Sequence, residues 1–519
     1  LILIKLYHLT KIYPELNSLC EYVIDRIAGK TPTGREYWMG QNNRKEALED
    51  LFKKDVIGHS VSSISDLSHK NIYQNYIYIS QELTENLCDS HVLQAFCLWF
   101  LQRVMLVQID ISETKDVPMV FEVINDRGER LKPYEVLKGK LLGQIGKEEI
   151  DNYYSIWQEY INAIQNISED YVDDFFRTYF RSKYIETTAE YREFDGDYHK
   201  TIYQPKWNKL IRLKRNTNEV KRFITNDLRY YADLYTRIAN ESENADSKYG
   251  PYLYYNNING QDRQVLLILA ACEPNESQEA DKIELIARLF DKHFSVLQLT
   301  NSYNSNSFTD SLITLNNKIR NKSTEEIAEI YQNQITEDIS KSKGIIIDSP
   351  YEWNYFKDAS KLNLGEKFIR YFFARIDQFI ANETGIATSD FYNMARNTGP
   401  VYGFHLEHIL ANNDENRALF GNDDELFRIE RNKLGALLLL RGKDNEASRN
   451  EPYREKVKTY AASLIWNQTL HPDLYHKKKG FEEFNASHNL GFRTYEVFDG
   501  QAIEERQRIL FELIKLIWA

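Results

Sequence analysis

The stretch of sequence that decides the local fold is YGFHLEHIL at residues 402–410, followed by KLGALLLL at residues 433–440. Both segments are short, apolar and bounded by polar loops, which is typical of β-strands. A polar loop with Asn445 and Asn450 follows, and Pro452 stands where a helix with regular apolar spacing would begin. This order predicts a small ββα unit whose first strand ends at Glu407 and His408.

Composition favours helices for the rest of the chain. Of 519 residues only 22 are Gly and 11 are Pro, while Leu, Ile, Glu, Lys and Tyr are abundant, a bias that disfavours a turn-rich all-β fold. We predict a mainly α protein with helical N-terminal and middle regions and a small C-terminal ββα unit embedded in helices. The expected regions are residues 1–148, 149–363 and 364–519.

Cysteine usage and hydropathy exclude several classes of protein. The four cysteines stand far apart without a C-x-x-C pair, so neither a disulfide framework nor a structural zinc site is indicated. No run of about 18 uncharged apolar residues exists, and lysines interrupt the apolar opening segment LILIKLYHLTKIYPEL. We therefore expect a cytoplasmic protein without a membrane partner.

Charge is unevenly distributed along the chain. The net charge of −12 disfavours a general nucleic-acid coat. Two segments are nevertheless basic: Arg428 to Lys479 carries twelve Lys and Arg against six acids, and Lys206 to Arg222 carries seven against one. We predict that cations of the second segment hold DNA phosphates, with a solvated helix face as the alternative. These cations are Lys206, Lys209, Arg212 and Arg215.

The C-terminal pattern resembles a known nuclease superfamily. An acidic residue directly followed by His at the end of a strand, with a later Asn near a helix, is similar to the HNH nucleases. More narrowly, FHLEHIL, then RNKLGALLLL, then N-x(4)-N-x-P-Y-x-x-K resembles the C-terminal domain of modification-dependent (type IV) restriction endonucleases of the GmrSD and SspE kind.

This resemblance implies a set of functional residues. His408 would be the general base, and its unperturbed pKa near 6.5 suits a proton acceptor at neutral pH. Glu407 and Asn445 would offer oxygen ligands to Mg²⁺ or Mn²⁺. The residues implied in DNA contact are Lys443, Arg449, Asn450 and Lys456.

A second motif lies at FEVINDRGERLKPYEVLKGKLL, residues 121–142. Its turn chemistry predicts two helices joined by a tight turn, with Pro133 opening the second. The segment resembles the N-terminal sensor or nucleotidase-like domain of the same family, which implies a nucleoside triphosphate ligand and assigns residues 1–148 to that domain. The matching residues are Asn125, Gly128, Leu131, Glu135 and Lys138.

Three departures from the family pattern stand out. Ala436 replaces the Asn that holds the ring of the catalytic histidine in the family, so a backbone carbonyl would have to orient His408 or the site would be weakened. Ala411 replaces a Pro, which should matter little. The family's Asp-Gly-Gln-Gln-Arg motif is not in the sequence, so we expect it to be lost or to lie upstream.

Three functions from different classes follow. The first is an Mg²⁺-dependent endonuclease that nicks or cleaves modified foreign DNA, such as phage DNA, in a bacterial restriction system. The second is a DNA-binding or regulatory protein in which the HNH fold remains as a catalytically weakened or inactive scaffold. The third is an HNH nuclease that acts on RNA. A zinc site on His405 and His408 is disfavoured, because no third Cys or His has suitable local spacing. Strand alternation places His405 on the other face from His408, so it would flank the site. A homodimer is left open.

Overall fold

The computed structural model describes residues 1–37, 42–55, 61, 64, 67–106, 131–448 and 451–519. The chain is mainly α-helical, as predicted, with two small two-stranded sheets in the described ranges. It divides into two compact units, Leu1–Glu113 and Thr114–Ala519. The expected boundaries after residues 148 and 363 do not coincide with this division.

The first unit consists of five described helices and a short hairpin. Its strands β1 (Ala28–Thr31) and β2 (Gly34–Tyr37) pair antiparallel. Asp89 begins the last helix, because its carboxylate accepts hydrogen bonds from the His91 and Val92 amides. The helices are Ile2–Ile12, Asn17–Ile24, Asn42–Lys54, Leu67–Asn86 and Ser90–Arg103.

The second unit begins with a bundle of helices that precedes the predicted ββα segment. Capping explains several of their ends: Ser323 and Glu326 form a reciprocal cap at one helix start, and Gly344 ends the same helix with φ +69°. The longer helices are Pro133–Leu142, Ile150–Gln165, Tyr171–Tyr184, Arg229–Glu241, Tyr252–Asn259, Gln264–Ala271, Glu279–Leu299, Ser305–Lys318, Thr324–Lys343 and Glu366–Thr384. The shorter ones are Thr188–Glu193, Tyr198–Thr201, Pro205–Ile211, Thr217–Arg222, Trp353–Phe356 and Phe391–Ala395.

A buried ion pair explains why residue 363 is not a boundary in the structure. Arg375, in the helix Glu366–Thr384, pairs with Asp291 of the helix Glu279–Leu299, and the Asp291 side chain is 0 % exposed. Trp518 donates its indole N–H to the same carboxylate at 2.9 Å. The middle and C-terminal helices therefore share one apolar core, which a linker at this position would interrupt.

The ββα unit forms where the sequence predicts it. Strand β3 (Phe404–His408) pairs antiparallel with β4 (Leu437–Arg441), so that His408 lies opposite Leu437. The second strand was expected within residues 433–440, but Leu434–Ala436 form a 3₁₀ turn and the strand begins at Leu437. The helices of this region are Asp414–Ala418, Asp424–Arg431, Gly442–Ser448, Tyr453–Tyr460, Ile465–Gln468, Pro472–Lys477, Lys479–Ser487 and Gly500–Trp518.

Side chains satisfy both outer edges of this hairpin. The Arg370 guanidinium donates to the Phe404 carbonyl beside β3. Along β4, the Trp466 indole donates to the Leu437 carbonyl at 3.1 Å, and the Asn467 amide donates to the Leu439 carbonyl at 2.7 Å. Because these buried edge carbonyls have partners, a sheet of only two strands is stable inside the helical core.

Gly435 fits the 3₁₀ turn against the C-terminal helix Gly500–Trp518. A Cβ at this position would lie 2.6 Å from the Ile503 carbonyl oxygen and 2.7 Å from the Gln507 amide nitrogen. The Gly435 amide also donates to the Gln507 side chain at 2.7 Å. The turn is therefore fixed by close backbone contact.

None of the described helices combines the length and apolarity that a bilayer crossing requires.

Candidate active site

His408 is the last residue of β3 and is partly buried. Its Nε2 lies 3.1 Å from Oδ1 of Asn432, a residue that directly follows the helix Asp424–Arg431. The side-chain nitrogen Nδ2 of Asn432 donates to the Arg428 carbonyl at 2.7 Å. The side-chain oxygen Oδ1 of Asn432 therefore faces the imidazole. The predicted alternative of a backbone carbonyl as the orienting group is wrong, because a side-chain amide holds the ring.

Burial and neighbouring cations set the protonation state of His408. Burial lowers its pKa to about 4, and the positive charges of Arg431, Lys361 and Lys456 act in the same direction. The hydrogen bond to Asn432 opposes this shift. The imidazole is therefore neutral at pH 7 and retains one lone pair that can accept a proton.

Glu407 forms a buried ion pair. Its side chain contacts the ammonium of Lys456, which also donates to the His408 carbonyl at 2.9 Å. Lys456 is 1 % exposed and Glu407 is 8 % exposed. Burial raises the pKa of Glu407 in spite of the attraction of Lys456. The prediction that Lys456 contacts DNA phosphates is wrong for this structure, because its ammonium lies inside the protein.

A protein cation occupies the carboxylate that was expected to bind a metal ion. Glu407 is paired with Lys456. Across the described ranges, no three His, Cys, Asp or Glu side chains are grouped in a way that could hold a metal ion. The Glu407 carboxylate is therefore not free to bind a divalent cation in the arrangement described.

The structure separates the other predicted C-terminal residues. His405 lies on the face away from His408, with Nε2 3.4 Å from the Gly399 carbonyl oxygen, as strand alternation predicts. Lys443 is exposed and Asn445 is partly buried, both in the helix Gly442–Ser448. Two further predicted DNA contacts, Arg449 and Asn450, lie outside the described residues.

The second basic segment is only partly available to DNA. Lys206 pairs with Glu190 at 2.7 Å and with Glu193 at 3.5 Å. Trp207 is 0 % exposed and donates its indole N–H to Glu193, so it is a core residue. Three predicted cations are exposed and have no acidic partner among the described residues: Lys209, Arg212 and Arg215.

Part of the N-terminal motif lies within the described residues. Asn125 and Gly128 lie outside the described residues. Pro133 begins a helix as predicted, and the Glu135 carboxylate caps its start by accepting the Lys132 amide at 2.9 Å. Lys138 lies 3.4 Å from the Gln158 side-chain oxygen and over the Tyr154 ring. Leu131 precedes the helix and is partly buried.

Sequence reasoning missed Asn432 and Arg431. Arg431 donates to the Leu410 carbonyl at 2.7 Å, which ties the end of the connecting helix to the chain just after His408. The only sequence signal was the dipeptide Arg-Asn directly before KLGALLLL. No spacing rule indicates that a residue 24 positions after His408 would reach its ring.

The hairpin lies within a segment that matches a known protein family. Residues 350–513 match the family described as GmrSD restriction endonucleases, C-terminal domain. No curated protein matched the chain. The matched segment contains both strands, the residues around His408 and most of the C-terminal helix. Residues 350–513 therefore form a domain of the GmrSD restriction endonuclease C-terminal type.

Proposed function

We propose that this protein is a DNA endonuclease whose active site is the strand end at His408. Its substrate would be modified foreign DNA, such as phage DNA, in a restriction system. The family assignment supports DNA as the substrate. The observation that carries the proposal is the placement of His408, which ends β3 inside the matched segment with Nε2 held by Asn432.

The neighbouring charges suit the binding of a phosphodiester. Arg431 and Lys361 contribute positive potential at the imidazole, and positive potential attracts the anionic backbone of DNA. A phosphate bound there would stabilise the imidazolium form and raise the pKa of His408 back towards neutrality. The ring would then be a stronger base in the complex than in the free protein.

The proposed step is proton transfer from water to His408 while the water oxygen attacks phosphorus. The P–O bond to the leaving oxygen breaks, and the leaving oxygen keeps the bonding electron pair and takes a proton from solvent. The proton accepted by the imidazole is then lost to solvent. A positioned general base contributes about 10²–10⁴-fold to such a step. We assign no step to Mg²⁺, because the carboxylate expected to bind it is paired with Lys456.

The buried pair also supports a second candidate function. With Glu407 neutralised by Lys456 and Ala436 in place of the family's Asn, the unit would serve as a scaffold that binds DNA without cleaving it. This candidate predicts DNA affinity without hydrolysis.

Relaxation of supercoiled plasmid by the full-length protein tests the two candidates. The assay compares modified and unmodified DNA, each with Mg²⁺, with Mn²⁺ and with EDTA, and adds a parallel RNA substrate. Nicked or linear product from modified DNA supports the endonuclease. Retention of DNA in a gel shift, without product under any condition, supports the scaffold, and cleavage of RNA alone would overturn both.

A further inference from the structure

Asn432 is held more firmly than a loop residue usually is. Its backbone carbonyl accepts a hydrogen bond from the Lys361 amide at 2.8 Å. Two residues later, the Leu434 amide donates to the Ala359 carbonyl at 3.1 Å. Its own side-chain nitrogen is bound to the Arg428 carbonyl. Both the backbone and the amide plane of Asn432 are therefore fixed before substrate arrives.

This arrangement determines which ring nitrogen of His408 carries the proton. If the Asn432 amide were turned over, its oxygen would face the Arg428 carbonyl oxygen, and two acceptors would repel each other. Oδ1 therefore faces Nε2, and an oxygen acceptor requires a proton on that nitrogen. The neutral ring is the Nε2–H tautomer, and its lone pair is at Nδ1.

Ala436 cannot hold the ring of His408. Ala436 is 0 % exposed, and its carbonyl accepts the Ile409 amide at 3.0 Å. Its methyl group offers His408 no hydrogen bond. The side-chain amide next to the ring comes instead from Asn432, four residues earlier in the same segment.

We propose that Asn432 is the positioning residue of His408: it holds the Nε2–H tautomer and so directs the Nδ1 lone pair towards the attacking water. The catalytic consequence rests on the proposed function, whereas the tautomer assignment does not. Loss of the Asn432 oxygen would leave the ring free to exchange tautomers and to rotate. Misplacement of a reacting group by about 1 Å lowers the rate of the reaction by about 10²-fold.

The test combines ring ¹⁵N NMR with nicking kinetics on the full-length protein. Histidine is labelled in the ring, and His408→Gln identifies the His408 signals. We expect the Nε2–H pattern in the wild type at a pH where the ring is neutral. Asn432→Ala should give a mixture of tautomers and a fall in kcat of about 10²-fold with KM unchanged.

Asn412→Ala is the matched control. Asn412 is exposed and lies in the same region, where its side-chain oxygen accepts a bond from Arg417 at 2.9 Å, so this variant removes a side-chain amide without contact to the ring. An Asn432→Ala protein with the wild-type tautomer and the wild-type kcat would overturn the proposal. If the wild type nicks no DNA, the nuclease function fails, and the NMR result alone still decides the role of Asn432.

Discussion

The ammonium of Lys456 lies between the Glu407 carboxylate and the His408 carbonyl oxygen, and it ties the helix Tyr453–Tyr460 to the end of β3. The contact is almost fully removed from solvent. A buried charge without its partner is strongly unfavourable. The pair therefore fixes the strand end at which His408 is placed.

Removal of the ammonium should destabilise the protein. Lys456→Met leaves Glu407 buried without a counter-charge, and we expect the free energy of unfolding to fall by about 3–5 kcal/mol. Urea unfolding followed by circular dichroism measures it. Lys458→Met is the matched control, because Lys458 lies on the same helix with a side chain that is 70 % exposed. The double variant Glu407→Gln with Lys456→Met should recover most of the loss, and equal losses for Lys456→Met and Lys458→Met would contradict the account.

The exposed cations near the helix Pro205–Ile211 should contribute to DNA affinity. Replacing Lys209, Arg212 and Arg215 with Ala should flatten the dependence of log K on log salt by about 0.9 for each phosphate contact removed. Fluorescence anisotropy at several salt concentrations measures the slope. Lys206→Ala is the control, because Lys206 is already paired with Glu190 and Glu193. If the salt dependence of the triple variant matches that of the wild type, these cations do not contact DNA and form only a solvated helix face.

Asp377 should make stability depend on pH. Burial raises its pKa to about 6, although its carboxylate accepts hydrogen bonds from the Trp466 amide and the Thr388 hydroxyl. A raised folded-state pKa adds stability that is fully present below the unfolded pKa and is lost as pH rises through 6. Between pH 4.5 and 7 this contribution should fall by about 2 kcal/mol.

Comparison of Asp377→Asn with the wild type isolates this effect. The stability of the variant relative to the wild type should rise by about the same 2 kcal/mol over that pH range, measured by urea unfolding at each pH. Asp348→Asn, which removes an exposed carboxylate, is the control for loss of one charge. A pH-independent difference for Asp377→Asn would show that the buried carboxyl does not titrate in this range.

Ala436→Asn should not improve the site. The family pattern places an Asn at this position, but Ala436 is fully buried and Asn432 already holds His408. An extra amide in the packed core should lower stability by about 1–3 kcal/mol through lost packing or an unpaired polar group. Thermal unfolding and nicking rates check this, and a faster variant of unchanged stability would show that His408 is poorly oriented in the wild type.

Local patterns predicted the fold class and the hairpin because their physical causes are local. Low Gly and Pro content indicated helices, and the apolar run at Leu437 to Leu440 indicated a buried strand. The expected boundary near residue 363 stays a prediction. Local patterns could not indicate that the pairing of Asp291 with Arg375 joins residues 84 positions apart on either side of it.

The candidate site was predictable only in part. The position of His408 at a strand end followed from the pattern, and so did the opposite orientation of His405. Side-chain burial could not be predicted from the sequence. Lys456 and Trp207 stand in basic segments, which are usually exposed, but tertiary contacts bury both side chains. Asn432 reaches His408 only through the packing of the connecting helix, which sequence spacing does not encode.

Single-turnover nicking of modified plasmid by His408→Ala tests the central claim most directly. We predict a rate about 10²–10⁴-fold below the wild type, with DNA affinity and the unfolding midpoint nearly unchanged. His405→Ala, which alters a histidine on the other face of the same strand, should nick at close to the wild-type rate. Nicking by His408→Ala at the wild-type rate would contradict the assignment of this strand end as the active site.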